Sequence, residues 1–148
     1  MIVEWKPIYC CGVESIDEQH KALVGLIVKL QRAMAEGRAR QEVQEVVENL
    51  VFYTRYHFAW EEQWFDQHEF IGLSAHMAEH ERLTDEALQL QTRMQQGKLI
   101  AGMPLLRLLQ EWLLTHIEQS DKSAVASALR RQNADTPDQC SRAFEQCS

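Results

Sequence analysis

Apolar residues recur along most of this chain at steps of three and four, the spacing of one buried face of an α-helix. Glycine and proline divide the pattern into four stretches. The first runs from about Asp17 to Glu36, with Leu23, Val24, Ile27, Leu30 and Met34 on its stripe. Asp17 reads as its N-cap, Glu18 sits where the helix dipole favours an acid, and Gly37 reads as its stop. The second runs from about Gln41 to Phe65 on Val43, Val46, Val47, Leu50 and Thr54. The third runs from about Leu73 to Gln96, between Gly72 and Gly97, on Leu73, Met77, Leu83, Ala87, Leu90 and Met94. The fourth begins near Pro104, a favourable first-turn residue. It carries Leu105, Leu109, Trp112 and Leu113 and passes through Asp121 into Ala124, Val125 and Leu129. Strand alternation and internal repeats are absent from the pattern.

Four stretches of roughly 16 to 25 residues with short links predict an all-α fold, an antiparallel up-down-up-down four-helix bundle. Residues 1–16 are expected to form an N-terminal arm anchored by Trp5, residues 17–129 the bundle, and residues 130–148 a polar, cysteine-bearing C-terminal extension.

Composition narrows the function without naming it. The chain has 148 residues, 45% apolar and 25% charged, which is one ordinary globular domain. A net charge of -7 argues against a nucleic-acid-binding face. No apolar run approaches the roughly 18 residues of a membrane span, and the first residues lack a signal-peptide pattern, so the expected address is cytoplasmic. Cys10, Cys11, Cys140 and Cys147 show no C-x-x-C spacing and are free thiols by default in that compartment. An up-down bundle also brings both ends of the chain together, which makes a disulfide between Cys10 or Cys11 and Cys140 or Cys147 the competing expectation.

The histidines carry the candidate chemistry. Five of the six fall in phase with the apolar stripes: His20, His57, His76, His80 and His116. Two carboxylates join them, Glu61 and Asp121. His57 and Glu61 stand four apart, as do His76 and His80, so each pair projects side by side. His116 and Asp121 stand five apart, about 140° of rotation on a regular helix. The fourth helix must therefore end, loosen or bulge near Gln119 and Ser120, or Asp121 must reach around the axis. Buried imidazoles and carboxylates without partners cost several kcal/mol each, so seven of them in one core call for cations. Seven ligands are too many for one ion and suit two. Imidazole and carboxylate do not select iron over zinc by themselves. No histidine has a glutamate three residues before it, which excludes the Glu-x-x-His pairs of ferritin-like sites. His68 reads as an exposed loop residue, and Glu62 and Asp66 as solvated. Trp60, Trp64 and Trp112 flank the ligands as an apolar jacket, and Tyr53 or Tyr56 is the candidate hydrogen-bond partner behind His57.

The four motifs, IDEQHKAL around His20, HFAWE from His57 to Glu61, HMAEH from His76 to His80 and HIEQSD from His116 to Asp121, stand in the order and spacing of one family. Over roughly residues 5 to 128 the chain resembles the hemerythrin family, and its length and arm resemble those of a bacterial member. The resemblance implies a non-haem di-iron centre, two iron ions joined by an oxo or hydroxo bridge, that binds dioxygen reversibly. It implies that His76, His80 and His116 hold one iron that is coordinatively full. His20 and His57 would hold the other, which keeps an open place for oxygen, and Glu61 and Asp121 would bridge the pair. Leu113 resembles the leucine that packs over the oxygen place. The implied role is an oxygen carrier or store, not an enzyme, with dioxygen as its partner, no nucleic acid or membrane, and no protein partner indicated. The alternatives are an oxygen or redox sensor acting through a partner, or iron, peroxide or nitric-oxide handling.

Overall fold

A computed structural model describes residues 4–37, 40–97 and 109–132. After a 3-10 turn at Pro7–Tyr9 come helices α1 (Glu14–Ala35), α2 (Arg40–Gln67) and α3 (Leu73–Gln95). A fourth, α4, covers residues 109–132. Within α4, Gln110–Leu114 and His116–Asp121 are π-helical, and Lys122–Gln132 is α-helical. The described residues contain no strand, and none of their helices is long and apolar enough to cross a membrane. The all-α four-helix bundle expected from the stripes is the fold.

The helix ends follow local chemistry. Gly37 and Gly97 close α1 and α3 at φ +64° and +78°, a conformation glycine adopts without steric cost. Gly72 opens α3 for a different reason: a Cβ there would lie 2.6 Å from the Phe70 ring. α1 begins at Glu14, with extended Val13 at its N-cap, three residues before the Asp17 start read from the sequence. Asp17 does not cap the helix. Its carboxylate reaches back into the arm, accepting the Cys11 N–H at 2.7 Å and the Gly12 N–H at 3.2 Å. The proposed start near Pro104 and the tail beyond Gln132 lie outside the described residues.

Two apolar layers show how the helices alternate in direction. One joins Leu23, Ile27 and Leu30 of α1 with Val43, Val47 and Leu50 of α2, Leu83, Leu90 and Met94 of α3, and Leu109 and Leu113 of α4. The other joins Ile16 from the start of α1, Phe65 from the end of α2, and Ala124, Val125 and Ala128 from the end of α4, with Leu73 of α3 against them. Starts meet ends, as an up-down-up-down bundle requires. Trp5 packs part-buried against the first layer and lies 5.6 Å from the Tyr9 ring. The seven polar groups singled out by the sequence lie between these two layers.

Candidate metal centre

All seven groups are buried, with His20, His57, Glu61 and Asp121 completely so. They form two groups whose donor atoms lie within 4.8 Å of one another: Glu61, His76, His80, His116 and Asp121, and His20, His57, Glu61 and Asp121. The carboxylates belong to both. Glu61 turns Oε2 toward His20 and His57 Nε2, at 3.4 and 3.1 Å, and Oε1 toward His76 and His80 Nε2, at 2.9 and 3.2 Å. Asp121 splits likewise, with Oδ2 3.1 Å from His20 Nε2 and Oδ1 2.9 Å from both His76 and His116 Nε2. Each carboxylate thus gives one oxygen to each group of imidazoles.

The spacing problem on α4 is resolved by its backbone. The His116–Asp121 segment is π-helical, and Lys122 N–H bonds the Ile117 carbonyl, five residues back. That hydrogen-bond ladder brings residues five apart onto one face, where an α-helix would separate them by about 140°.

Several inward atoms have no hydrogen-bond partner: His20 and His57 Nε2, Glu61 Oε2, and both oxygens of Asp121. Buried polar atoms are almost always satisfied, so this cluster of orphans has the chemistry of a cation site. Without a cation the groups neutralise one another. Burial would lower the His20 pKa, but Asp121, Cys11 and Glu61 outweigh it and hold the imidazole well above its usual value. The same contest ends with His76 at about 10, through Asp121 and Glu61, and with His80 raised. At His57 burial prevails and the pKa falls. Burial would raise both carboxylates, yet the surrounding imidazoles hold Glu61 well below the carboxylate range and Asp121 also low. Five nitrogens and two shared carboxylates fit a pair of transition-metal ions.

The outer faces of the imidazoles are also engaged. His57 Nδ1 donates to Gln19 Oε1 at 2.7 Å, a place the sequence reading gave to Tyr53 or Tyr56. His116 Nδ1 donates to Glu79 Oε1 at 2.8 Å, and the Ser120 hydroxyl lies 2.9 Å from both Glu79 oxygens. Glu62, expected to be solvated, is part-buried with Oε1 3.7 Å from His80 Nδ1. His68 is half-buried, not exposed; it donates to the Trp64 carbonyl at 2.8 Å and stacks on the Trp64 ring. Asp66 is exposed as expected. Trp60 and Trp64 pack against the second apolar layer, whereas the Trp112 side chain lies outside the described part of the chain. Phe58, unremarked in the sequence, and Phe65, read there only as a helix end, supply closer cover: Phe58 stacks on His80 at 3.8 Å and Phe65 meets His76 edge-on at 4.8 Å. Leu113 is fully buried in the first layer, one turn before His116.

Cys11, Asp17 and His20 form a third close cluster beside the centre. Both Asp17 oxygens are taken by backbone amides. Burial pushes the Cys11 thiol up to about 11, so it stays protonated and stands as a neutral neighbour 3.9 Å from His20 Nδ1. Cys11 is free while Cys10 is disulfide-bonded, so free thiols hold at one position and fail at its neighbour. Cys140 and Cys147 lie outside the described residues.

A four-helix bundle with two carboxylate-linked groups of buried imidazoles belongs to the class of helical metal-binding proteins. The particular family follows from comparison with known proteins. The family model described as the hemerythrin HHE cation binding domain matches residues 11–128. A bacteriohemerythrin of Pseudomonas aeruginosa is 34% identical over 121 residues, 82% of this chain and 78% of its relative. A bacteriohemerythrin of Methylococcus capsulatus is 30% identical over 106 residues, 72% of this chain and 80% of that one. The crystal structure of a wild-type hemerythrin superposes with a TM-score of 0.78 at 26% identity, covering 86% of this chain and 98% of that chain. The chain belongs to the hemerythrin family.

Proposed function

We propose that this chain binds dioxygen reversibly at a di-iron centre, as a carrier or store and not as an enzyme. In this reading His76, His80 and His116 would hold one iron and His20 and His57 the other, with Glu61 and Asp121 shared between them. The observation that carries it is the way each buried carboxylate divides its oxygens between the two groups of imidazoles. Iron held by these residues would supply the electrons with which dioxygen is captured and released. Five neutral imidazoles and two carboxylates are less anionic than a four-carboxylate shell, which favours the ferrous state and disfavours oxidase chemistry.

The protein's own part is to hold and to shield. Phe58 and Phe65 lie against His80 and His76, and Leu113 is the proposed cover over the oxygen place. Water kept from the centre slows irreversible oxidation.

Metal analysis combined with absorption spectra, cycled from anaerobic reduction to air and back, tests the reading. Two irons per chain and a visible band that comes and goes with oxygen are expected. Absence of iron contradicts it. Irons that oxidise once, with no reversible band, favour a second reading: a redox sensor. One observation supports that alternative, the disulfide-bonded Cys10 beside the thiol that touches His20. Alkylation of the unfolded, unreduced chain should modify Cys11 and spare Cys10; modification of both removes that support.

A further inference from the structure

Each imidazole of the centre turns one ring nitrogen inward, and the outward nitrogens meet unequal chemistry. On α1 and α3 the residue just before a site histidine reaches sideways to a histidine of another helix. Gln19, before His20, accepts from His57 Nδ1 at 2.7 Å. Glu79, before His80, accepts from His116 Nδ1 at 2.8 Å. The two residues are counterparts in position and in contact, and they differ in charge. Two more of the five imidazoles follow the same division. Behind His20 stands the Cys11 thiol at 3.9 Å, and behind His80 the Glu62 carboxylate at 3.7 Å.

A carboxylate behind an imidazole N–H draws on its proton and raises the basicity of the inner nitrogen, whereas a neutral acceptor mainly fixes the ring's orientation. Such outer partners change metal affinity by about 10- to 100-fold. In the three-imidazole group His116 is therefore backed by a hydrogen-bonded carboxylate and His80 by a second carboxylate at longer range, whereas His57 is backed by an amide and His20 by a thiol. Ser120 holds Glu79 in place through both carboxylate oxygens.

We propose that Gln19 and Glu79 are paired positioning residues that widen the inequality the ligand count gives the two metal positions, so that the His20–His57 position releases its metal first and the His76–His80–His116 position last. The proposal rests on the two-metal reading given above. It concerns the protein's grip on the ions and not oxygen chemistry, so it is testable without oxygen.

The exchanges Gln19→Glu and Glu79→Gln keep side-chain size and move only the charge. Wild-type and variant chains are loaded with ferrous iron in the absence of air, the metal is counted, and its release to a chelator is followed. The wild type should release iron in two phases, and His57→Ala, which should lack the fast one, assigns them. Gln19→Glu should slow the fast phase about tenfold, and Glu79→Gln should quicken the slow phase about tenfold. The midpoint potential of the loaded protein should move negative in the first variant and positive in the second. Mere loosening of the structure would not produce opposite shifts. Release that quickens in both variants, or changes in neither, overturns the proposal. Glu79 is 32% exposed, so Glu79→Gln should fold, and where Gln19→Glu does not, a quickened slow phase beside an unchanged fast phase decides the matter, since loosening would quicken both. A wild-type chain that takes up a single metal overturns the two-metal reading itself, and the metal count separates that failure from failure of the charge argument.

Discussion

α3 and α4 each supply two groups to the same centre by different backbones. On α3, His76 and His80 are four residues apart on a regular helix, and ordinary helical geometry sets them side by side. On α4, His116 and Asp121 are five apart, and the helix widens to π to align them. α3 needs no departure from the commonest ladder of hydrogen bonds. α4 adopts a rarer one over two successive segments, on either side of Thr115. The demands of the site therefore outweigh local backbone preference where the two conflict. The apolar layers on either side give the widened turn its tertiary support.

Inserting one residue after Ala78 should have the largest effect. It would leave His76 and His80 five apart, about 140° from each other on a regular helix, and turn Leu83, Ala87 and Leu90 by about 100° out of their layer. Metal content should fall below one ion per chain and thermal stability should drop with it, read by metal analysis and calorimetry. Deleting Gln119 is the mirror experiment on α4 and should be far less damaging, because a regular α-helix would then align His116 and Asp121, four apart, and keep Ala124, Val125 and Ala128 in their layer. Next in size, Phe58→Ala removes a buried ring stacked on His80 and should cost about 3 to 5 kcal/mol in denaturant unfolding.

A pH series of the metal-free chain sharpens the contrast between proton and metal. His20, His76 and His80 have raised values in the fold. Their contribution to stability is complete below about pH 6.5 and is lost as pH rises through the folded values, which reach about 10 at His76. Glu61 and Asp121 are held low, so their contribution is present above about pH 4 and is lost as pH falls. Metal-free stability should therefore decline toward alkaline pH and again below about pH 4, with the lowered His57 offsetting part of the gain from the other histidines below about pH 6.5. Bound metal replaces those protons and should abolish the alkaline decline, which denaturation with and without chelator would show. The smallest effect is expected from Ser120→Ala, about 1 kcal/mol, from lost hydroxyl contacts to Glu79.

Much of this arrangement is legible in the chain. Leu23, Ile27 and Leu30 announce α1 by spacing alone, and His57 with Glu61 or His76 with His80 announce two site pairs the same way. The five-residue step to Asp121 even signals that α4 departs from a regular helix or that Asp121 reaches around its axis, although it does not say which. What spacing cannot convey is the partner behind each imidazole. Gln19 and Glu79 sit next to site histidines in sequence, yet each serves a histidine of a different helix. Only the packing angle between helices settles that pairing. Asp17 misleads for a related reason: an acid near a helix start looks like a cap, and the extended arm carrying Cys11 and Gly12 takes its oxygens instead. Phe58 follows His57 and looks like any core aromatic until α3 is packed against it.

Diffraction from crystals of the iron-loaded chain, recorded at the iron absorption edge, would show whether the seven buried residues hold two irons in unequal positions, as proposed. Two anomalous peaks are expected, one among His76, His80 and His116 and one beside His20 and His57, with Glu61 and Asp121 between them. A single peak, or one lying among Cys11, Asp17 and His20, would contradict the proposal.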